Sequence, residues 1–361
     1  MPRLPRPAAA LLCLLLAGPV LAAPFTPASD AEVVERLPGG GGGDSAVRRV
    51  DSLRKQLAAR PDDATLRLEI ARRYFELAMA QGDPRFVGYA SATIAPLAAA
   101  AAENNAGYWL LRGLIEQYSH DFPAALASLD RAARIAPTDP EPLAWRSAIF
   151  MVQARYPQAL DECRRLEPLA HALLATGCSA YVQATTGQLL PAFFQLQQAL
   201  AAAAGADPGL RIWAHTRLAE MALRLQKPDE AEVHFRSALG LGINDQFLLG
   251  AYADFLLEHG RPAETVKLLA GWERSDVLLL RLALAGAALK DPRAAGWAAQ
   301  LRDRFQAAGQ RGDRLHEQEA ARFELDLERR PKQAVALAVR NYTVQKEPRD
   351  AEILMRAALE A

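Results

Sequence analysis

The stretch WLLRGLIEQYSHDFPAALASLDRAARIAP, residues 109–137, decides the fold. Its first half is apolar at Leu110, Leu111 and Leu114, with Gly113 between them. Its second half opens on Asp121-Phe122-Pro123 and places Ala125, Leu129 and Ala132 at helical spacing before Ile135-Ala136-Pro137 ends it. Proline fits a first helical turn, where its missing N–H would be unpaired anyway. Small, large and small residues on one face let two helices lie close together. The stretch therefore predicts two helices folded against each other.

The same opening recurs along the chain. Pro84, Pro123, Pro157, Pro191, Pro228, Pro262, Pro292 and Pro331 are spaced by 39, 34, 34, 37, 34, 30 and 39 residues. Each is set to open a helix. A small residue follows within three positions in most copies: Ala125, Ala159, Ala192, Ala231, Ala263, Ala295 and Ala334. The preceding helices carry Gly113, Ser147, Ala219 and Ala253 at their own close-approach positions. A fixed interval inside one chain is an internal repeat.

The period of 34 with Trp109, Gly113, Ala125, Leu129, Ala132 and Pro137 resembles a tetratricopeptide repeat. Residues 140–166 and 212–243 look like further copies, and residues 64–103, 169–204, 246–273, 275–308 and 315–346 like degenerate ones. The resemblance implies an all-α, right-handed superhelical solenoid of about eight antiparallel helix pairs within residues 46–361. Helices at Val47–Ala59 and Asp350–Leu359 are placed to cap its two ends. One helix pair buries too little to offset its ordering entropy, whereas stacking buries both faces.

Composition agrees with helices: Ala and Leu dominate and β-branched residues are few. The ends of the chain read differently. Arg3 and Arg6 precede an apolar run from Ala8 to Ala17, then Gly18-Pro19 and Val20-Leu21-Ala22. This is the layout of a secretory signal peptide over residues 1–22. Export, into a bacterial periplasm, is the expectation. Residues 23–45, with five glycines from Gly39 to Gly43, read as a flexible Pro/Gly-rich linker. No second segment is long and apolar enough to span a bilayer, so no stable membrane insertion is expected after cleavage. The chain beyond residue 22 holds 40 basic and 42 acidic residues, which offers nucleic acid no general attraction.

No catalytic pattern emerges. Among His120, His171, His215, His234, His259 and His316, no two lie three or four apart, so metal-ligand spacing is missing. There is no Gly-x-Ser-x-Gly elbow, and the glycine run lacks the Lys-Ser or Lys-Thr of a phosphate loop. The expectation is a binding protein, not an enzyme, with no cofactor and no metal. Cys163 and Cys178 are placed on neighbouring helices about a turn at Pro168, roughly 7 and 14 Å from it at 1.5 Å per residue. That offset predicts two buried free thiols.

In the repeats that this chain resembles, first helices line a concave face and hold a protein or peptide partner. Helical phase then points Arg72, Gln117, Tyr118, Glu220, Arg224, Asp254 and Glu258 inward. The positions at which peptide-clamping relatives carry Lys and Asn are Leu110, Leu114, Ala144 and Ala148 here, so that clamp is missing. An exported scaffold or assembly factor is the favoured reading. The alternative is an enzyme or accessory subunit of envelope polysaccharide or cell-wall metabolism, using the solenoid as a substrate groove.

Overall fold

A computed structural model describes residues 45–97 and 103–361. The expected signal peptide and all of the expected linker except Ser45 lie outside the described residues. Ser45 itself begins the first helix. Among the described residues there are eighteen α-helices and no strand.

The helices form eight consecutive pairs between two end helices. α1 (Ser45–Ala59) leads into α2 (Ala64–Gln81) with α3 (Arg85–Ile94), then α4 (Ala106–Tyr118) with α5 (Phe122–Ile135). α6 (Glu141–Val152) pairs with α7 (Tyr156–Leu166), and α8 (Ala172–Thr185) with α9 (Leu189–Ala202). α10 (Pro208–Arg224) and α11 (Pro228–Leu239) follow, then α12 (Gln246–Glu258) and the short α13 (Pro262–Leu268). α14 (Asp276–Leu289) with α15 (Ala294–Gln310) and α16 (Glu317–Asp326) with α17 (Pro331–Tyr342) precede the last helix, α18 (Pro348–Glu360).

Local chemistry sets the boundaries. First helices are capped by side chains that accept an orphan N–H: Asp63 from Leu66, Asn105 from Tyr108, Asp245 from Leu248 and Ser275 from Leu278. Second helices open on the periodic prolines, as at Pro123, Pro157, Pro228, Pro262 and Pro331. Within the deciding stretch Phe122, Ala125, Leu129 and Ala132 are all buried on one face of α5. A Cβ on Gly113 would stand 2.7 Å from Leu129 Cγ, so only glycine lets α4 and α5 meet here.

Two of the small positions fail. Ala263 and Ala295 are exposed, and the buried places on α13 and α15 are taken by Thr265 and Trp297. These second helices start out of phase with the others. On the expected end cap, Leu359 is 87% exposed, and α18 is held by the buried Ile353 and Ala357.

Apolar clusters run along the chain in overlapping blocks, each shared by neighbouring pairs. Fully burying one of their large side chains, such as Phe122 or Phe235, contributes about 1.5–3 kcal/mol.

The cysteine expectation is half right. Cys163 and Cys178 are buried, but they are bonded to each other, with Cα atoms 5.6 Å apart. The turn is centred later than Pro168. α7 ends at Leu166, the amides of Leu169 and Ala170 both return to the Leu166 carbonyl, and His171 caps α8. The midpoint of the two cysteines thus falls on the bend, which brings them level. The bond joins the third pair to the fourth. It closes a loop across a sequence separation of 15, a constraint on the unfolded chain of about 3 kcal/mol. The non-reduced, denatured chain beginning after residue 22 should show no free thiol on titration. Cys163→Ser should lower chemical-denaturation stability by roughly 2–4 kcal/mol; two titratable thiols would refute the bridge.

Candidate partner-binding interior

First helices turn their polar-apolar inner faces toward a common interior. A cavity of about 490 Å³ is lined chiefly by α2, α4, α8, α10, α12, α14 and α16, every one the first helix of its pair. It is the expected concave side. Two contacts narrow it. The end of α2 reaches the start of α12: Gly82, at φ 62°, has no room for a Cβ, which would overlap the Gln246 side chain. On another side the chain between α17 and α18 crosses the interior, so that Gln345, Glu347, Pro348 and Arg349 form part of the wall.

Six of the seven residues expected to face inward converge here: Gln117, Tyr118, Glu220, Arg224, Asp254 and Glu258. Arg72 does not. Its guanidinium bridges Glu76 on its own helix and Glu141 at the start of α6, at 3.2 and 2.8 Å. Leu110 and Leu114, at the positions of the missing clamp, are core residues of α4.

The six are not equivalent. Gln117 carries a buried Oε1 with no hydrogen-bond partner among the described residues. Tyr118 keeps its proton, because burial pushes its pKa up. Arg224 donates to the Ala184 carbonyl at 2.7 Å. Glu220 pairs with Arg217 at 3.0 Å, and the Arg217 guanidinium lies 4.9 Å from the Tyr181 ring centre.

Asp254 is fully engaged. Its carboxylate meets Arg322 at 2.6 Å, Arg281 at 2.7 Å and Arg349 at 3.2 Å. Burial alone would raise its pKa, but the three guanidiniums outweigh this and hold it well below the usual carboxylate range. Removing the carboxylate would leave three cations facing one another in a poorly solvated place. Asp254 therefore ties α12 to α14, α16 and α18.

Sequence reasoning did not pick out Arg281, Arg322, Arg349 or Glu347. One signal was present: Arg281 is the only charged residue between Asp276 and Lys290, in the run VLLLRLALAGAAL. A lone charge in an apolar helix needs a buried partner. Locally Glu347 is the N-cap of α18, in a capping box with Asp350, and nothing in that role marks it for the interior. It sits at the cavity wall, where burial, with repulsion from Asp350 and Glu220, pushes its carboxyl up to about 7 against the pull of Arg217. His120 is also covered, and burial pushes its pKa down to about 4, leaving the imidazole neutral.

A histidine pair lies elsewhere, between α10 and α11, with His215 Nδ1 3.0 Å from His234 Nδ1. Among the described residues no group of three His, Cys, Asp or Glu side chains is placed to hold a metal ion. Among them also, no helix is long and apolar enough to cross a membrane.

No protein-family profile and no curated protein sequence matches the chain. Solved structures do resemble it. The Rap protein complexed with Competence and Sporulation Factor is 14% identical over 88% of this chain and 99% of that one, with a TM-score of 0.51. A tetratricopeptide repeat protein from Parabacteroides merdae is 13% identical over 87% and 99%, at 0.35. The Cut9–Hcn1 structure from the APC/C is 16% identical at 0.43, and the match covers 86% of this chain but only 52% of that one. At such identities the likeness concerns the fold: an all-helical repeat solenoid of tetratricopeptide type.

The raised pKa of Glu347 has a definite sign in stability. Between the ordinary value of 4.5 and about 7 the folded chain holds a proton that the unfolded chain has lost. Stability contributed by this group is complete below 4.5 and is lost as pH rises through 7. Glu347→Gln should therefore melt at a higher temperature than the parent at pH 8 and at nearly the same temperature at pH 4.5. A variant less stable at pH 8 would show that the carboxylate is needed in its charged form.

Proposed function

We propose that this chain is an exported interaction scaffold or assembly factor that holds a peptide segment of a protein partner against the inner faces of its first helices. The observation that carries this reading is the convergence of six phase-selected residues from α4, α10 and α12 on one cavity of about 490 Å³. That volume is in the range of ligand pockets and suits a short segment, not a folded domain. The lining is mixed: Phe247, half of it exposed, with Met79, Met221 and Val277, sits beside Arg217, Arg224 and Glu258. An apolar anchor flanked by charges matches that surface. The fold supports the reading as well, since Rap shares it and is itself solved with Competence and Sporulation Factor.

Export is supported by the layout of residues 1–22 and by the Cys163–Cys178 bond, which belongs to oxidising compartments.

A second reading draws on a different observation. The interior is partly enclosed and places Glu347, held near neutrality, close to Arg217 and Glu220. A shifted carboxyl in a cleft is what an enzyme of polysaccharide or cell-wall metabolism would use as a general acid. Release of soluble fragments from purified cell wall, abolished by Glu347→Gln, would favour it.

The scaffold reading is tested by capture of partners from the native envelope. Tyr118→Ala with Arg224→Glu should reduce recovery of a partner at least about tenfold, the effect of losing roughly 1.4 kcal/mol, while helical circular dichroism at the temperature of capture shows the chain still folded. Arg236→Ala, on the outer helix α11, should leave recovery unchanged. The reverse pattern would place the partner on the outside.

A further inference from the structure

We propose that residues 343–349, the turn after α17 with the first two residues of α18, are an internal stand-in for the partner segment. The partner displaces them with a stretch of the same chemistry: an apolar residue followed three and five positions later by an acid and a base. The proposal rests on the interior being the partner site.

In a solenoid each pair contacts its neighbours, and a turn at the eighth pair has no structural need to touch the third. This one does. The Lys346 N–H donates to the Val152 carbonyl at 2.7 Å, in the last turn of α6, where helix carbonyls lack partners of their own. Val344 packs on the apolar cluster of α1 to α6. Glu347 follows, close enough to Arg217 and Glu220 on α10 to feel both charges. Arg349 then pairs with Asp254 at 3.2 Å and Glu258 at 3.0 Å on α12. Six consecutive residues thus run from the C-terminal end of α6 past α10 to α12. Glu347 is extended, at φ −74° and ψ 161°, as expected before a proline. The crossing has one main-chain hydrogen bond, one apolar anchor and charges of both signs, which is how a bound peptide would lie.

The turn can leave without unfolding the end of the chain. Its release would break the reciprocal cap in which the Glu347 N–H donates to Asp350 at 2.8 Å, but α18 keeps the bonds that Asp350 accepts from Gln318 at 2.5 Å and Asn341 at 2.7 Å, and the buried Ile353 and Ala357. Arg349 is held by three acids, Asp254, Glu258 and, on its own helix, Glu352 at 2.7 Å, and Glu258 is half exposed. A tethered segment competes at high effective concentration, so the native chain admits a partner only in the fraction of molecules whose turn is released.

The test uses the full exported chain and a blocked synthetic peptide with the sequence TVQKEPRD of residues 343–350. Lys346→Pro removes the N–H donated to Val152, and Arg349→Glu reverses the charge facing Asp254 and Glu258. The double variant should bind the labelled peptide at least about tenfold more tightly than the native chain, because its site is no longer filled. A peptide with the Glu and Arg exchanged should not bind it. Equal affinity for both chains overturns the proposal, as does failure of the variant to bind while its helical circular dichroism is intact. Should the double variant lose that signal, Arg349→Ala alone takes its place: tighter peptide binding than the native chain supports the proposal, and equal or absent binding overturns it. If the native chain still captures a partner through Tyr118 and Arg224 while the released chain ignores the peptide, the interior reading stands and only the role of the turn is lost.

Discussion

Everything in this molecule depends on one constraint: a helix pair has two apolar faces and can cover only one of them by itself. α4 and α5 close on each other because Gly113 lets Leu129 in, yet Tyr108, Leu111 and Phe122 still need covering from α2, α3 and α6. Each pair passes the same need to the next, which is why the clusters overlap along the chain. The stack ends where α1 and α18 supply one apolar and one solvated face. The first helices are left with inner faces that no neighbour covers, and those faces become the interior.

What could be read in the sequence follows from the range of each interaction. The helix pairs were legible because their determinants lie within one period: a cap, an apolar face, a proline and a small residue. Six inner residues were legible for the same reason, since phase along a single helix places them. Arg72 was misplaced because a neighbour in space, Glu141, captures its guanidinium, and nothing in α2 announces that. The cysteine bond was missed by an error of about two residues in one turn, since at 1.5 Å per residue that is enough to separate a bond from a miss.

Contacts across the interior were not legible at all. Gly82 against Gln246 and Lys346 against Val152 depend on the rotation accumulated over several pairs. Small differences per pair, such as the seven-residue α13 or the displaced starts of α13 and α15, sum to the final meeting of ends. No window of sequence encodes that sum. The charges that gather there come from four helices: Asp254 from α12, Arg281 from α14, Arg322 from α16 and Arg349 from α18.

This charge cluster explains how a fold held by neighbour contacts can keep a defined interior. Apolar stacking alone fixes each pair to the next but leaves the superhelix free to flex, because its long-range geometry is a product of many soft joints. A buried carboxylate with three guanidiniums behaves differently: with good geometry it holds its partners in place, and opening it strands charge in a poorly solvated site. Asp254 thus acts across joints that stacking leaves soft. It joins the sixth pair to the seventh, the eighth and the last helix. Arg349 is the one of its three partners that also carries the crossing turn, and at 3.2 Å its contact is the longest of the three. Arg281 and Arg322 hold the carboxylate from α14 and α16, and Arg349 holds it from the segment that crosses the cavity. With the crossing segment released as proposed, Arg281 and Arg322 would still hold Asp254, and the cluster would keep two of its three cations and its tie between α12, α14 and α16.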